Sequence, residues 1–128
     1  MALTEYATAE LLMRQRKYSE ALVHLQTIIT KYPGSTLTDD ATLKTGELDL
    51  LLNNIDSALA VFRTVADEMP TSILRDRAQM RIAEVYERRL KDRPKAIEAY
   101  EQLLVRFPAS LYVEEARKRI RVLRGDAL

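Results

Sequence analysis

The sequence predicts an all-α chain made of one helical hairpin copied three times, followed by a single capping helix. The first observation is a recurring aromatic-or-Met/Pro ending: Tyr32-Pro33-Gly34-Ser35, Met69-Pro70-Thr71-Ser72 and Phe107-Pro108-Ala109-Ser110. Its prolines lie 37 and then 38 residues apart. The second is a set of small and large residues in fixed register with those prolines. Ala21, Ala58 and Ala96 stand 12 residues before them, and Ala41, Ala78 and Ala116 stand 8 after. Large apolar residues follow the first alanines at i+4 (Leu25, Phe62, Tyr100) and i+7 (Ile28, Val65, Leu103), on one helical face. The third is composition. Among 128 residues there are only 3 Gly and 4 Pro, leaving room for long helices.

Seven helices follow, over about 2–16, 19–32, 37–53, 55–68, 73–90, 94–107 and 111–124, in one domain spanning 1–128. The repeat units run about 2–35, 36–72 and 73–110, with the capping helix at about 111–124. Each proline ends the second helix of a unit, because it restricts the preceding residue and donates no helical bond. Ser35, Ser72 and Ser110 are placed to cap the helix that follows. Ala9 and Gly46 sit 12 residues before Ala21 and Ala58 and mark close contacts of the first helices. In the third unit Ala83 takes this role one residue early. The extra residue is expected in the turn around Lys91-Asp92-Arg93, and Pro94 suits the first turn of the next helix. Val113, Ala116, Ile120 and Leu123 form the apolar face of the last helix, whose outer face is charged as a terminal cap requires.

These residues resemble the tetratricopeptide repeat family over nearly the whole chain. The strongest local match is Lys95-Ala96-Ile97-Glu98-Ala99-Tyr100-Glu101, followed by Arg106-Phe107-Pro108-Ala109-Ser110 and Glu115-Ala116. The long period and the Tyr32-Pro33-Gly34-Ser35 ending resemble one bacterial branch. That branch includes the lipoprotein of the outer-membrane β-barrel assembly machine and the periplasmic partner of the Tol system. The resemblance implies a right-handed superhelix with a concave groove, serving as a protein-binding scaffold in the cell envelope. Two departures stand out: the chain has no Trp, and Asp49 occupies a position filled by Leu12 and Tyr86 in the other units.

By the same resemblance the first helices line a groove for a protein or peptide partner. The lining residues are Leu3, Tyr6, Glu10 and Met13, then Asp40, Leu43, Glu47 and Leu50, then Arg77, Met80, Glu84 and Glu87. Glu10, Glu47 and Glu84 recur every 37 residues and suggest an acidic column. The competing reading pairs each Glu within its own layer, as in Glu10–Arg14 and Glu84–Arg88 at i, i+4. An acidic groove argues against the Lys- and Asn-lined clamp that family members use for acidic chaperone tails.

Other chemistry finds little support. His24 is the only histidine and there is no Cys, so a zinc or iron site is not expected, and a Ser or Thr nucleophile has only His24, fixed in the first hairpin, as a histidine base. Three glycines make no phosphate-cradling loop. No cofactor and no enzymatic activity are expected. The net charge of +1 provides no global field for nucleic acid, and no apolar run is long enough to span a bilayer. Arg117-Lys118-Arg119-Ile120-Arg121-Val122-Leu123-Arg124 is a local basic run. It suits a helix C-terminus, where cations favour the macrodipole, better than a single-strand binding face, which would interleave aromatics. The N-terminus carries no signal-peptide pattern. The helical register running from the first residues suggests a piece of a longer chain, so compartment stays open: periplasm or the periplasmic face of the outer membrane for an envelope protein, otherwise cytoplasm. The alternative function is a self-associating structural module, a weak homo-oligomer joined end to end.

Overall fold

In the computed structural model, which describes residues 1–125, the order is α1 (Ala2–Arg14), α2 (Tyr18–Lys31), α3 (Thr38–Leu51), α4 (Ile55–Glu68), α5 (Arg75–Glu84) continued by a π-turn (Val85–Arg89), α6 (Arg93–Arg106) and α7 (Val113–Arg124). All regular structure among the described residues is helical. The chain divides into two compact units, Met1–Val61 and Phe62–Leu128, and the division falls inside α4.

In the first unit α2 packs against both α1 and α3. Ala9, Ala21, Leu25, Ile28, Ala41 and Leu48 are fully closed to solvent, and Tyr6, Leu12, Met13, Tyr18, Leu22 and Ile29 pack around them. The small residues allow the helix backbones to approach, and the large ones fill the space between them. In the second unit α6 packs against α5 and α7. Ala78, Ala83, Ala96, Tyr100, Leu103 and Ala116 are buried there, in the roles their register gave them.

The three serines act alike. Ser35, Ser72 and Ser110 each accept, through Oγ, the backbone N–H two residues on, at 3.1 Å in all three cases. This side-chain turn delays the following helix, so α5 and α7 begin at Arg75 and Val113, two residues later than the periodicity suggests. The α2–α3 connection is held further by Thr38, whose hydroxyl donates to the Tyr32 carbonyl at 2.8 Å. In α6 the capping side chain is Asp92, which accepts from the Lys95 N–H at 3.1 Å, with Pro94 in the first turn.

The extra residue of the third hairpin does not lie in the Lys91-Asp92-Arg93 turn. Arg16, Asn53 and Lys91 all adopt left-handed φ (61°, 62° and 54°), so the turns inside the three hairpins each carry one left-handed residue. The residue after each donates back to a register-equivalent carbonyl: Lys17 to Leu12, Asn54 to Asp49, and Asp92 to Tyr86. The first two bonds span five residues and the third spans six. The surplus residue is therefore absorbed upstream, as the π-turn Val85–Arg89, where the Leu90 N–H reaches the Val85 carbonyl at 3.0 Å. A π-turn accommodates a one-residue insertion while leaving the helix on either side intact.

Asp49 is buried on α3, and burial raises its carboxyl pKa above the ordinary value. A folded-state pKa above the unfolded one means that its stabilising contribution is present in acid and is lost as pH rises through the raised value. Asp49→Leu, which restores the residue type of Leu12, is expected to stabilise the chain by about 1 kcal/mol at pH 7. The gain should shrink toward pH 3. Urea midpoints at the two pH values check this; a gain independent of pH would rule out the desolvated carboxylate as its source.

Candidate partner-binding surface

The α1–α2–α3 arrangement brings together part of the face expected to meet a partner. Tyr6 lies on α1 and Asp40 on α3, each half-buried, while Glu10 on α1 is exposed. Burial raises the Tyr6 hydroxyl pKa, and the negative charges of Asp40 and Glu10 raise it further. One aromatic hydroxyl thus stands in the field of two carboxylates from two different helices. Met13 is half-buried and packs on the same core as Tyr6.

Other expected members fall elsewhere. Leu43, Leu50 and Met80 are only 5–6% exposed and belong to the packed interior, so they offer a partner almost no apolar surface. Periodicity places a residue on a face but does not say how closely the neighbouring elements cover that face. The three register-equivalent glutamates also differ from one another. Glu10 is exposed and Glu47 half-buried. Glu84 is held by Arg81 at 2.9 Å and by Arg88 at 3.7 Å, the latter being the within-layer i, i+4 pairing. No corresponding ion pair joins Glu10 to Arg14 among the described residues. Arg77 is exposed, its backbone N–H bonded to the Asp76 carboxylate at 2.8 Å.

Glu87 belongs to a closed network. It accepts the Tyr100 hydroxyl at 2.7 Å, and the Arg119 guanidinium donates to both its oxygens, from Nε at 3.1 Å and from Nη2. Burial pushes the Glu87 carboxyl pKa up, but these hydrogen bonds and the charges of Arg119 and Arg88 outweigh it, so the net shift is downward. The network ties the π-turn to α6 and α7. Its sequence signal is an acidic residue at the register position held by Met13 and Leu50 in the earlier units.

The basic run on α7 is largely committed to carboxylates. Arg119 holds Glu87, Arg117 pairs with Glu114 at 2.7 Å, and Arg124 pairs with Glu101 at 3.0 Å. Arg121 stands in the register of the small residues Ala9, Gly46 and Ala83, so the α7 face that would accept a further helix carries a guanidinium there. His24 bonds through Nδ1 to Glu5 Oε2 at 2.7 Å and ties α1 to α2. No group of His, Asp and Glu among the described residues has metal-site geometry. No helix among them is long and apolar enough to cross a membrane.

A family model described as the tetratricopeptide repeat protein 21 ARM repeat matches residues 3–103. The chain belongs to that family. Its hairpins are thus tetratricopeptide-type helical repeats, and the matched span runs from the start of α1 nearly to the end of α6, covering Tyr6, Glu10, Asp40 and Glu87. No curated protein matches the chain.

Proposed function

We propose that residues 1–128 act as one repeat domain, a non-enzymatic scaffold that holds a basic segment of a partner protein on the α1/α3 face of the first unit. The observation that carries this reading is Tyr6 in the shared field of Glu10 and Asp40. An aromatic ring beside two carboxylates suits a lysine or arginine side chain, which gains from both the charge and the ring face. Membership of a helical-repeat family supports a protein partner over a small-molecule substrate. The Tyr32-Pro33-Gly34-Ser35 ending favours a scaffold of the bacterial cell envelope, in the periplasm or on the periplasmic face of the outer membrane.

Binding of a fluorescein-labelled Lys/Arg-rich dodecapeptide, followed by anisotropy at low salt, tests the contact face. Glu10→Lys with Asp40→Lys is expected to weaken binding by tenfold or more, about 1.4 kcal/mol, because it reverses two rim charges without touching the core. Unchanged affinity would remove this face from the assignment. Leu43→Ala is unsuited to the purpose, since Leu43 is buried and its truncation reports on folding.

A further inference from the structure

The second unit contains a cleft whose chemistry is opposite to that of the α1/α3 face. It is a cavity of about 460 Å³ between α4, α5 and α6, with Arg63 from α4, Lys95 from α6, and Ile82 and Ala99 among its lining. Both cations approach Tyr86. The Arg63 guanidinium lies 5.9 Å from the ring centre and donates to the hydroxyl, and the Lys95 ammonium lies 5.7 Å from the same ring. Arg63 and Lys95 are both exposed, and neither has a carboxylate within ion-pair distance among the described residues. Of the acidic residues lining the cleft, Asp67 is taken by Arg106 at 2.8 Å and Glu98 is exposed.

Two features set these cations apart from the repeat pattern. Lys95 and Arg93 occupy the first turn of α6, where the macrodipole disfavours positive charge. The register-equivalents of Arg63, Tyr86 and Lys95 in the preceding layer are Gln26, Asp49 and Ser57. Two cations and the aromatic they share thus arise together in one layer only, which repeat packing does not require.

We propose that this cleft is a second docking site, taking an acidic segment of a partner protein, with one Asp or Glu side chain held by the Arg63 and Lys95 head groups beside Tyr86. The Gln102 amide also lines the cleft and can bond the backbone of the segment. The site shares no residue with the α1/α3 face, so the two assignments stand or fall separately.

The ¹⁵N-labelled full chain is titrated with the acetylated, amidated hexapeptide Ala-Glu-Glu-Leu-Glu-Ala, with its Gln-for-Glu counterpart, and with inorganic phosphate. Saturating amide shifts are expected at Arg63, Tyr86, Lys95 and Gln102 with the acidic peptide, and not with the Gln peptide. Arg63→Ser with Lys95→Ser should raise Kd about tenfold or more, whereas Arg63→Lys with Lys95→Arg should hold it within about threefold. Shifts that map elsewhere, that appear equally with the Gln peptide, or that survive the double Ser substitution overturn the proposal. Shifts at these residues with phosphate but not with the acidic peptide also overturn it, since the cleft would then take a free anion. Both substituted residues are exposed, and the wild-type shift map does not depend on any variant folding.

Discussion

Arg119→Ala is expected to lower the free energy of unfolding by about 3 kcal/mol, among the largest single losses available on the surface of the second unit. The reason is the position of Glu87, whose side chain is only 11% exposed. Its charge is tolerated there because Arg119 grips both oxygens and Tyr100 donates from α6. Removing the guanidinium leaves a carboxylate with one neutral donor in a largely desolvated place. Breaking a buried pair from one side is far more costly than never having had it. It follows that the double replacement Glu87→Leu with Arg119→Leu should recover most of the loss, since Leu50 holds the equivalent position of the preceding unit. Urea unfolding with an unchanged m-value measures both. A loss below about 1 kcal/mol for Arg119→Ala would mean that solvent screens the pair as it does ordinary surface pairs.

The same network sets a pH window. Because the folded pKa of Glu87 is lowered, its contribution is present above the unfolded carboxylate value and is lost as pH falls through the folded one. Tyr100 moves upward, first through burial and then through its bond to Glu87. Its contribution is complete below the ordinary tyrosine value of about 10 and is lost as pH rises toward the folded one. The pair therefore holds full strength between the two ordinary ranges. Asp49 acts in the opposite sense on the acid side, gaining as Glu87 fails.

Much of this architecture is legible in the sequence, for identifiable reasons. Proline, alanine and serine register gives the hairpins, because each of those residues does one local job that depends little on its surroundings. The approach of Tyr6, Glu10 and Asp40 is legible because hairpin packing and helical spacing together determine which first helices are neighbours. The π-turn is not legible. Counting shows one residue too many between Ala83 and Ala96, but the count is the same whether that residue lies in the turn or in the helix. The turn resists it because the left-handed residue at Lys91 must match Arg16 and Asn53. The burial of Leu43, Leu50 and Met80 was hidden for a related reason: alternation on one helix says nothing of what covers it. The cation pair on Tyr86 joins three residues from three helices, and no local pattern connects them.

The repeat itself predicts a second large effect, at the alanines. Ala21, Ala58 and Ala96 are each completely closed to solvent, two in the hairpins of the first unit and one in the second. A small side chain there lets neighbouring helices approach to the separation at which Leu25, Phe62 and Tyr100, one turn on, fill the remaining space. Ala96→Leu adds three carbons at a point completely closed to solvent. Either the α5–α6 and α6–α7 contacts open or the new side chain takes a strained rotamer. The expected cost is about 2–3 kcal/mol, the upper part of the range for overpacking a dense core. Ala21→Leu and Ala58→Leu should cost the same within about 1 kcal/mol if one hairpin design really governs all three positions. Ala7→Leu on the exposed side of α1 is the control and should change stability by less than about 0.5 kcal/mol. Thermal and urea unfolding of the four variants compare them directly. Equal, small effects at all four sites would mean that the alanines are tolerated rather than required, and a steep cost at only one of the three would mean that the hairpins have diverged in packing while keeping their sequence register.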